Sequence, residues 1–321
     1  MKIGKAIKLL REQKGMSQKD LAKKVKRCTT IVSHWEQGVR YPHSSSLEAL
    51  SKVLDVPIPY LILSSLEEDD FPKNKKILYK TMLQPLLQVL TEDEQQQIKN
   101  TKILLGGAGI GSIIAECALR FGFENITIVD GDKVEESNLN RQNYSNSDIG
   151  KYKAACLKKR LMDINPHANI AHHNVYIDRD NVESLIEGHD VAVNALDFKS
   201  DIPFYFDELC SQKNIPVLHP YNFGWAGFLA IVKPGGHQLT DITTDYRQFE
   251  ISMARFILRC FELRNMPILW MEDILDRYGK EECEMPYYPQ LSIGSWIAAS
   301  HCVNAMFNLA TGKYVRTFPK F

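Results

Sequence analysis

The spacing of hydrophobic positions changes near residue 100. From residue 3 they recur at helical intervals: Ile3, Ile7 and Leu10 form one apolar stripe, and Leu21, Ala22 and Val25 another. Gly15 ends the first helix, and Ser17 followed by Asp20 reads as an N-cap with an acidic third position. A third helix spans roughly 29–37 and stops at Gly38. Beyond Pro42, Ser46 is the expected cap of a fourth helix carrying Leu47, Leu50, Val53 and Leu54, and a short last one starts at Val56. Residues 66–76 run from Glu67, Glu68, Asp69 and Asp70 through Pro72 to Lys73, Lys75 and Lys76, the composition of a linker. Residues 77–98 read as helix interrupted at Pro85.

From 103 onward, short apolar runs alternate with helical stretches. Ile103–Leu105, Ile126–Val129, Val191–Asp197, Ile215–His219 and Phe228–Val232 read as strands, and 245–280 and 296–309 as helices. The alternation predicts an α/β fold: a Rossmann-like, mostly parallel sheet with helices on both faces, preceded by a small all-α helix-turn-helix domain. The expected boundaries are 1–65 for the helical domain, 66–98 for linker and lead-in helices, and 99–321 for the α/β domain.

Charge refines this division. Lys plus Arg and Asp plus Glu both number 39 over the whole chain. Residues 1–65, however, hold twelve basic residues against five acidic ones, so the excess of positive charge sits in the helical domain. That suits a phosphate-backbone partner or a solvated helical face. The seven cysteines include no CxxC pair, which argues against a disulfide framework and a structural zinc site. No apolar run reaches membrane-span length and the chain opens with a charged amphipathic pattern, so a reducing cytoplasm and no membrane partner are expected.

The first strand of the α/β region runs into Gly106-x-Ala108-Gly109-x-Gly111 and then a helix. Glycines at such a turn let phosphates approach backbone N–H groups at a helix N-terminus. Ala108 stands where a dinucleotide fingerprint has its second glycine. Asp130, at the end of the next strand, suits hydrogen bonding to ribose hydroxyls. Arg141 and Lys153 follow. Hydride transfer has no clear use for them, whereas two cations near a triphosphate stabilise charge as pyrophosphate leaves. A nicotinamide-dependent oxidoreductase is therefore disfavoured.

These pieces, with Ser137-Asn138-Leu139-Asn140-Arg141-Gln142, Gly150-Lys151-Tyr152-Lys153-Ala154, Ile164-Asn165-Pro166, Asp197, Gly224-Trp225-Ala226-Gly227-Phe228 and Ala310-Thr311-Gly312, resemble the ThiF/MoeB superfamily of ubiquitin-activating-type adenylyltransferases. The resemblance implies ATP with Mg2+, and attack of a carboxylate on the α-phosphorus to give an acyl-adenylate and pyrophosphate. It implies that Gly106, Ala108, Gly109 and Gly111 cradle the nucleotide and Asp130 holds the ribose. Asn138, Arg141 and Lys153 would engage phosphates, and Asp197 would hold Mg2+. It also implies a homodimer and a substrate that is a peptide, the C-terminus of a ubiquitin-like protein, or a small carboxylic acid. Three departures stand out. Ala108 replaces a glycine, no arginine lies between Arg40 and Arg120, and the two zinc-binding CxxC pairs of many relatives are missing. Lys76 or Lys80, beside Tyr79, are the candidates to replace the upstream arginine. Cys210 and Cys283 are the cysteines in least apolar context, and His219 follows a strand at the expected cleft.

The first 63 residues resemble the phage-repressor-like (XRE-type) helix-turn-helix family, through Ser17-Gln18-Lys19-Asp20-Leu21-Ala22 and Ser33-His34-Trp35-Glu36-Gln37-Gly38. By that likeness Trp35 belongs to the core, and Gln18, Arg27, Thr29, Thr30, Ser33 and His34 would face double-stranded DNA. The alternative for this domain is recognition of a protein or peptide. For the whole chain, the alternative to adenylylation is a nucleotide-sensing transcriptional regulator without turnover.

Overall fold

In the computed structural model, which describes residues 3–56, 89–262 and 290–320, the first apolar stripes become helices α1 (Ile3–Gln13), α2 (Gln18–Lys24), α3 (Thr29–Glu36) and α4 (Ser44–Leu54). The expected linker at 66–76, the break at Pro85 and the helical stretch 263–280 lie outside the described residues. Residues 1–78 and 79–321 cluster as separate units.

In the first unit Ser17 and Asp20 cap α2 reciprocally. Ser17 Oγ accepts the Asp20 N–H at 3.1 Å and Asp20 Oδ2 accepts the Ser17 N–H at 2.9 Å. The helix α4 starts two residues before Ser46, with His43 as its N-cap, so Ser46 is a buried first-turn residue and not the cap. Ile7, Leu21, Val32, Trp35 and Leu50 fill the core. Beneath them runs a buried ion pair: Arg11 Nε and Nη2 donate to the two carboxylate oxygens of Glu36 at 2.6 and 3.1 Å. Gln18 Nε2 adds a third bond to Glu36 at 2.7 Å, so this carboxylate joins α1, α2 and α3.

The second unit is a six-stranded sheet in the order β3-β2-β1-β4-β5-β6. Its strands are β1 (Lys102–Gly106), β2 (Asn125–Val129), β3 (Asn169–His173), β4 (Val191–Asn194), β5 (Val217–Phe223) and β6 (Ala226–Val232). Neighbours pair in parallel except for the antiparallel hairpin β5–β6. The helices that follow in chain order are α5 (Glu92–Asn100), α6 (Gly111–Phe121), α7 (Lys153–Ile164), α8 (Val182–Ile186), α9 (Ile202–Gln212), α10 (Phe249–Glu262) and α11 (Ser292–Ala310). Alternate strand residues point to opposite faces, which sorts the core. Ile103, Leu105, Ile128 and Val193 pack with α6, α7 and α11. Leu104, Val129, Ala192 and Val217 pack with α8 and α9. Phe228, Ala230 and Val232 pack under α10. The strand β3 was not expected from the sequence; it is an edge strand in which Ile170 alone is buried. Among the described residues, no helix is long and apolar enough to cross a membrane.

The Arg11–Glu36 pair predicts a stability phenotype. Glu36→Ala leaves a buried guanidinium without its main partner, so urea unfolding of the helical unit should lose about 3 kcal/mol. A loss below about 1 kcal/mol, the level of a surface pair, would refute that role.

Candidate nucleotide site

The chain reverses strand order between β1 and β4, and the crevice at their carboxyl ends is where such sheets hold ligands. Gly106 ends β1 in register with Val129 and Asn194, which end the two neighbouring strands. Gly107 follows at φ +98°, and a Cβ there would lie 2.5 Å from the Ala195 carbonyl oxygen. The loop is thus pressed onto the exit of β4, an approach only glycine permits. Gly109 faces the Gln142 amide. At Gly111, the buried first residue of α6, an added Cβ would meet nothing within 4 Å, so the start of this helix is not crowded where phosphates bind to such turns.

Ala108 is fully buried among the core residues of the α6 face. Its methyl therefore fills the core, and its N–H donates to Asp130 Oδ2 at 2.6 Å while its carbonyl accepts the Tyr144 hydroxyl at 2.7 Å. This explains an alanine where a glycine was expected. Asp130 Oδ1 also accepts the Asp132 N–H at 2.7 Å. Burial pushes the Asp130 carboxyl pKa up, against the pull of these two backbone donors.

Lys153 opens α7 and is buried, with Nζ 3.0 Å from Asp132 Oδ2. Burial opposes ionisation of Asp132, but Lys153 and the Tyr176 hydroxyl, which donates to Oδ1 at 2.8 Å, hold its pKa below the usual carboxylate value. Asp197, on the loop after β4, is exposed and pairs with Lys199 at 2.9 Å. That contact, first among its causes, raises the Lys199 pKa, to which Asp132 also contributes. Cations and carboxylates thus alternate across the ends of β2 and β4.

Arg141 is different. Among the described residues its guanidinium bonds neutral oxygens: Gln290 Oε1 at 2.5 Å, the Ser137 carbonyl at 2.7 Å and Asn140 Oδ1 at 2.8 Å. It borders a hollow of about 100 Å³ with Ile113, Leu139, Ser292 and Trp296. Desolvation lowers its pKa. A desolvated cation held by dipoles is poised for an anion. Beside it, Gln142 Oε1 is buried with no hydrogen-bond partner among the described residues. Asn138 instead braces its own turn, accepting the Glu135 N–H at 3.0 Å.

Of the residues expected here, the glycine loop, Asp130 and Lys153 come together at the ends of β1 and β2. Asp197 lies after β4, and Arg141 stands at the edge of its own hollow. Asp132, Gln142, Tyr176 and Lys199 were missed as site residues. Gln142 ends the Ser137–Gln142 stretch and Asp132 lies two residues past Asp130, whereas Tyr176 and Lys199 sit in polar loops whose pattern carries no signal. His219 is interior, with Nε2 2.9 Å from Asp207 Oδ2, a carboxylate whose other oxygen accepts from Asn194 at 2.8 Å. Burial of Cys210 pushes its thiol well up, which disfavours the thiolate a nucleophile needs. Lys76, Tyr79, Lys80 and Cys283 fall outside the described residues. Among the described residues, no group of three or more His, Cys, Asp or Glu is placed to hold a metal.

In the helical unit, Arg27, Thr29 and Thr30 are exposed and Ser33 and His34 half-buried, all on or just before α3. Gln18 turns inward to Glu36. Gln37, also exposed, donates to Ser33 Oγ at 3.0 Å.

A sequence model of the ThiF family matches residues 80–269, and one described as helix-turn-helix matches residues 7–61. SUMO-activating enzyme subunit 2 of Dictyostelium discoideum is 31% identical over 153 residues, which are 47% of this chain and 23% of that one. The tRNA threonylcarbamoyladenosine dehydratase of Bacillus subtilis is 26% identical over 205 residues, 59% of this chain and 77% of that one. The fold is shared with E. coli MccB solved with AMPCPP and MccA, at a TM-score of 0.53 and 17% identity over 94% of this chain and 82% of that one. The chain spans from 23% to 54% of the first three curated relatives it matches.

The Lys153–Asp132 pair makes a titration prediction. Because Lys153 opposes the effect of burial, Lys153→Met should raise the Asp132 pKa from its depressed value, with the Tyr176 hydroxyl and Lys199 still holding against burial, followed by carboxyl carbon NMR. In the wild type the pair stabilises the fold at neutral pH and loses that contribution as pH falls through the depressed pKa. An Asp132 pKa that stays low in Lys153→Met would exclude the pair as its cause.

Proposed function

The chain belongs to the ThiF family, and on that basis we propose that its α/β domain adenylylates a carboxylate with ATP and releases pyrophosphate. The observation that carries this reading is Arg141, a half-buried cation whose bonding partners among the described residues are neutral, and which precedes Gln142, whose amide faces Gly109 of the glycine loop. The open space at Gly111 fits a phosphate, and a carboxylate at Asp130 fits a ribose. In this reading Gly106, Ala108, Gly109 and Gly111 supply the cradle. Arg141 and Lys153, with Asn138 beside them, take the phosphates. Lys153 then exchanges Asp132 for phosphate oxygen. Asp197 is the carboxylate for Mg2+, which when bound neutralises phosphate charge.

The reacting oxygen of the substrate carboxylate forms its bond to the α-phosphorus as the bond to pyrophosphate breaks. Charge developing on the leaving group falls to Arg141 and Lys153. The acid is a peptide, a ubiquitin-like C-terminus or a small molecule. Relatives named as SUMO- and SAMP-activating enzymes, and MccB solved with MccA and with ATP, support the first two classes.

A homodimer is part of this reading, supported by the exposed apolar side chains of Trp225, Ile293, Trp296 and Ile297 around the β5–β6 turn and the start of α11. So is DNA binding by the helix-turn-helix head through Arg27, Thr29, Thr30, Ser33 and His34. The protein is assigned to the cytoplasm, where an exposed thiol such as Cys28 stays reduced.

ATP–pyrophosphate exchange across candidate peptides and acids tests the chemistry. Arg141→Ala should lower the rate about 100-fold or more. Unchanged exchange in Arg141→Ala would remove Arg141 from the chemistry, and ATP binding with no exchange for any acid would leave a nucleotide sensor. For the head and the dimer, sedimentation should give a two-chain species whose affinity for duplex DNA falls steeply with salt; a single-chain species or salt-insensitive binding counts against them.

A further inference from the structure

The loop after β3 brings an aromatic ring to the same crevice. Tyr176 is 67% exposed, yet it is held from several directions. Its ring lies on Gly131, where an added Cβ would come within 2.7 Å of Cγ and Cδ2. Its hydroxyl donates to Asp132 Oδ1 at 2.8 Å, and its carbonyl accepts from Asn181 Nδ2 at 2.8 Å. The next residue, Ile177, is buried in the cluster with Phe206 and would touch a Cβ on Gly106 at 3.3 Å. The hydrogen bond to Asp132 also raises the phenol pKa, so the hydroxyl stays a donor at neutral pH. A large aromatic surface is thus presented to solvent on a pinned backbone, with no place in the core.

Its location follows from the sheet. A nucleotide whose phosphates lie on residues 107–111 and whose ribose reaches Asp130 directs its base outward past the end of β2, toward the loop that follows β3. Gly131 comes directly after Asp130, and Tyr176 covers it. We propose that Tyr176 is the stacking platform for the base of the bound nucleotide, its ring fixed by Gly131 and Asp132. This rests on the nucleotide reading above and extends it to base selection. An aromatic face reads ring area and not base edges, so the platform favours purines over pyrimidines without separating adenine from guanine. Asp132 serves both ends: it holds the platform through Tyr176 and the phosphate cation through Lys153.

Calorimetry on the full chain, with ATP and inorganic tripolyphosphate as probes in the presence of Mg2+, tests this. Tyr176→Ala should weaken ATP about ten-fold or more, the scale of one base–aromatic stack, and leave tripolyphosphate within about two-fold. Tyr176→Phe keeps the ring and should hold ATP within about three-fold, since it gives up only a solvent-accessible hydrogen bond. The wild-type preference for GTP over CTP should shrink in Tyr176→Ala. The proposal is overturned if Tyr176→Ala binds ATP like the wild type. It is equally overturned if both probes weaken together, or if Tyr176→Phe loses as much as Tyr176→Ala, because the effect would then run through Asp132 and Lys153. A wild-type chain that binds tripolyphosphate but not ATP, or neither, defeats the nucleotide reading itself, a result distinct from these.

Discussion

The candidate site hangs on the carboxylate of Asp130. One oxygen takes the N–H of Ala108 and the other that of Asp132, so a single side chain ties the turn after β1 to the turn after β2. Placing this group in the interior costs free energy, and two backbone donors offset that cost. The orientation of the glycine loop depends on it, as does Asp132, and through Asp132 the ammonium of Lys153. If the carboxylate were lost, two buried N–H groups would be left without acceptors at the point where the crevice needs to be stiff.

Around this anchor the charges fall into two kinds. Lys153 and Lys199 each have a carboxylate of their own, so an incoming anion competes with Asp132 or Asp197 for them. Arg141 has, among the described residues, amide and carbonyl oxygens. The difference matters energetically, because an anion meeting Arg141 displaces dipoles and not a formal charge.

Much of this was legible in the chain. The glycine turn, Asp130 and the strands β1, β2, β4 and β6 announce themselves through apolar runs and fixed offsets, and buried parallel strands have few other ways to be written. The strand β3 was not legible, because its Asn-Ile-Ala-His-His sequence buries one side chain and leaves the rest at a sheet edge. Ser46 misled because serine caps helices and also tolerates a first turn, and tertiary packing chose the earlier start. Ala108 read as a defect because its position in a motif does not reveal that its methyl faces the core. Tyr176 and Lys199 were silent for a simpler reason: loop residues acquire their neighbours from the fold, and no local period encodes them.

Arg141 and Gln290 are 149 residues apart, and their side chains meet at 2.5 Å. During synthesis the glycine turn and its acid can form as soon as β1 and β2 have emerged, since the contacts that make them are close in sequence. The arginine gains its amide partner only after the polypeptide has been extended through β6 and α10 to the start of α11. A nascent chain stalled before that point would present a nucleotide cradle whose arginine still lacks Gln290. The order of translation thus places the last part of the site under the control of its most distant segment.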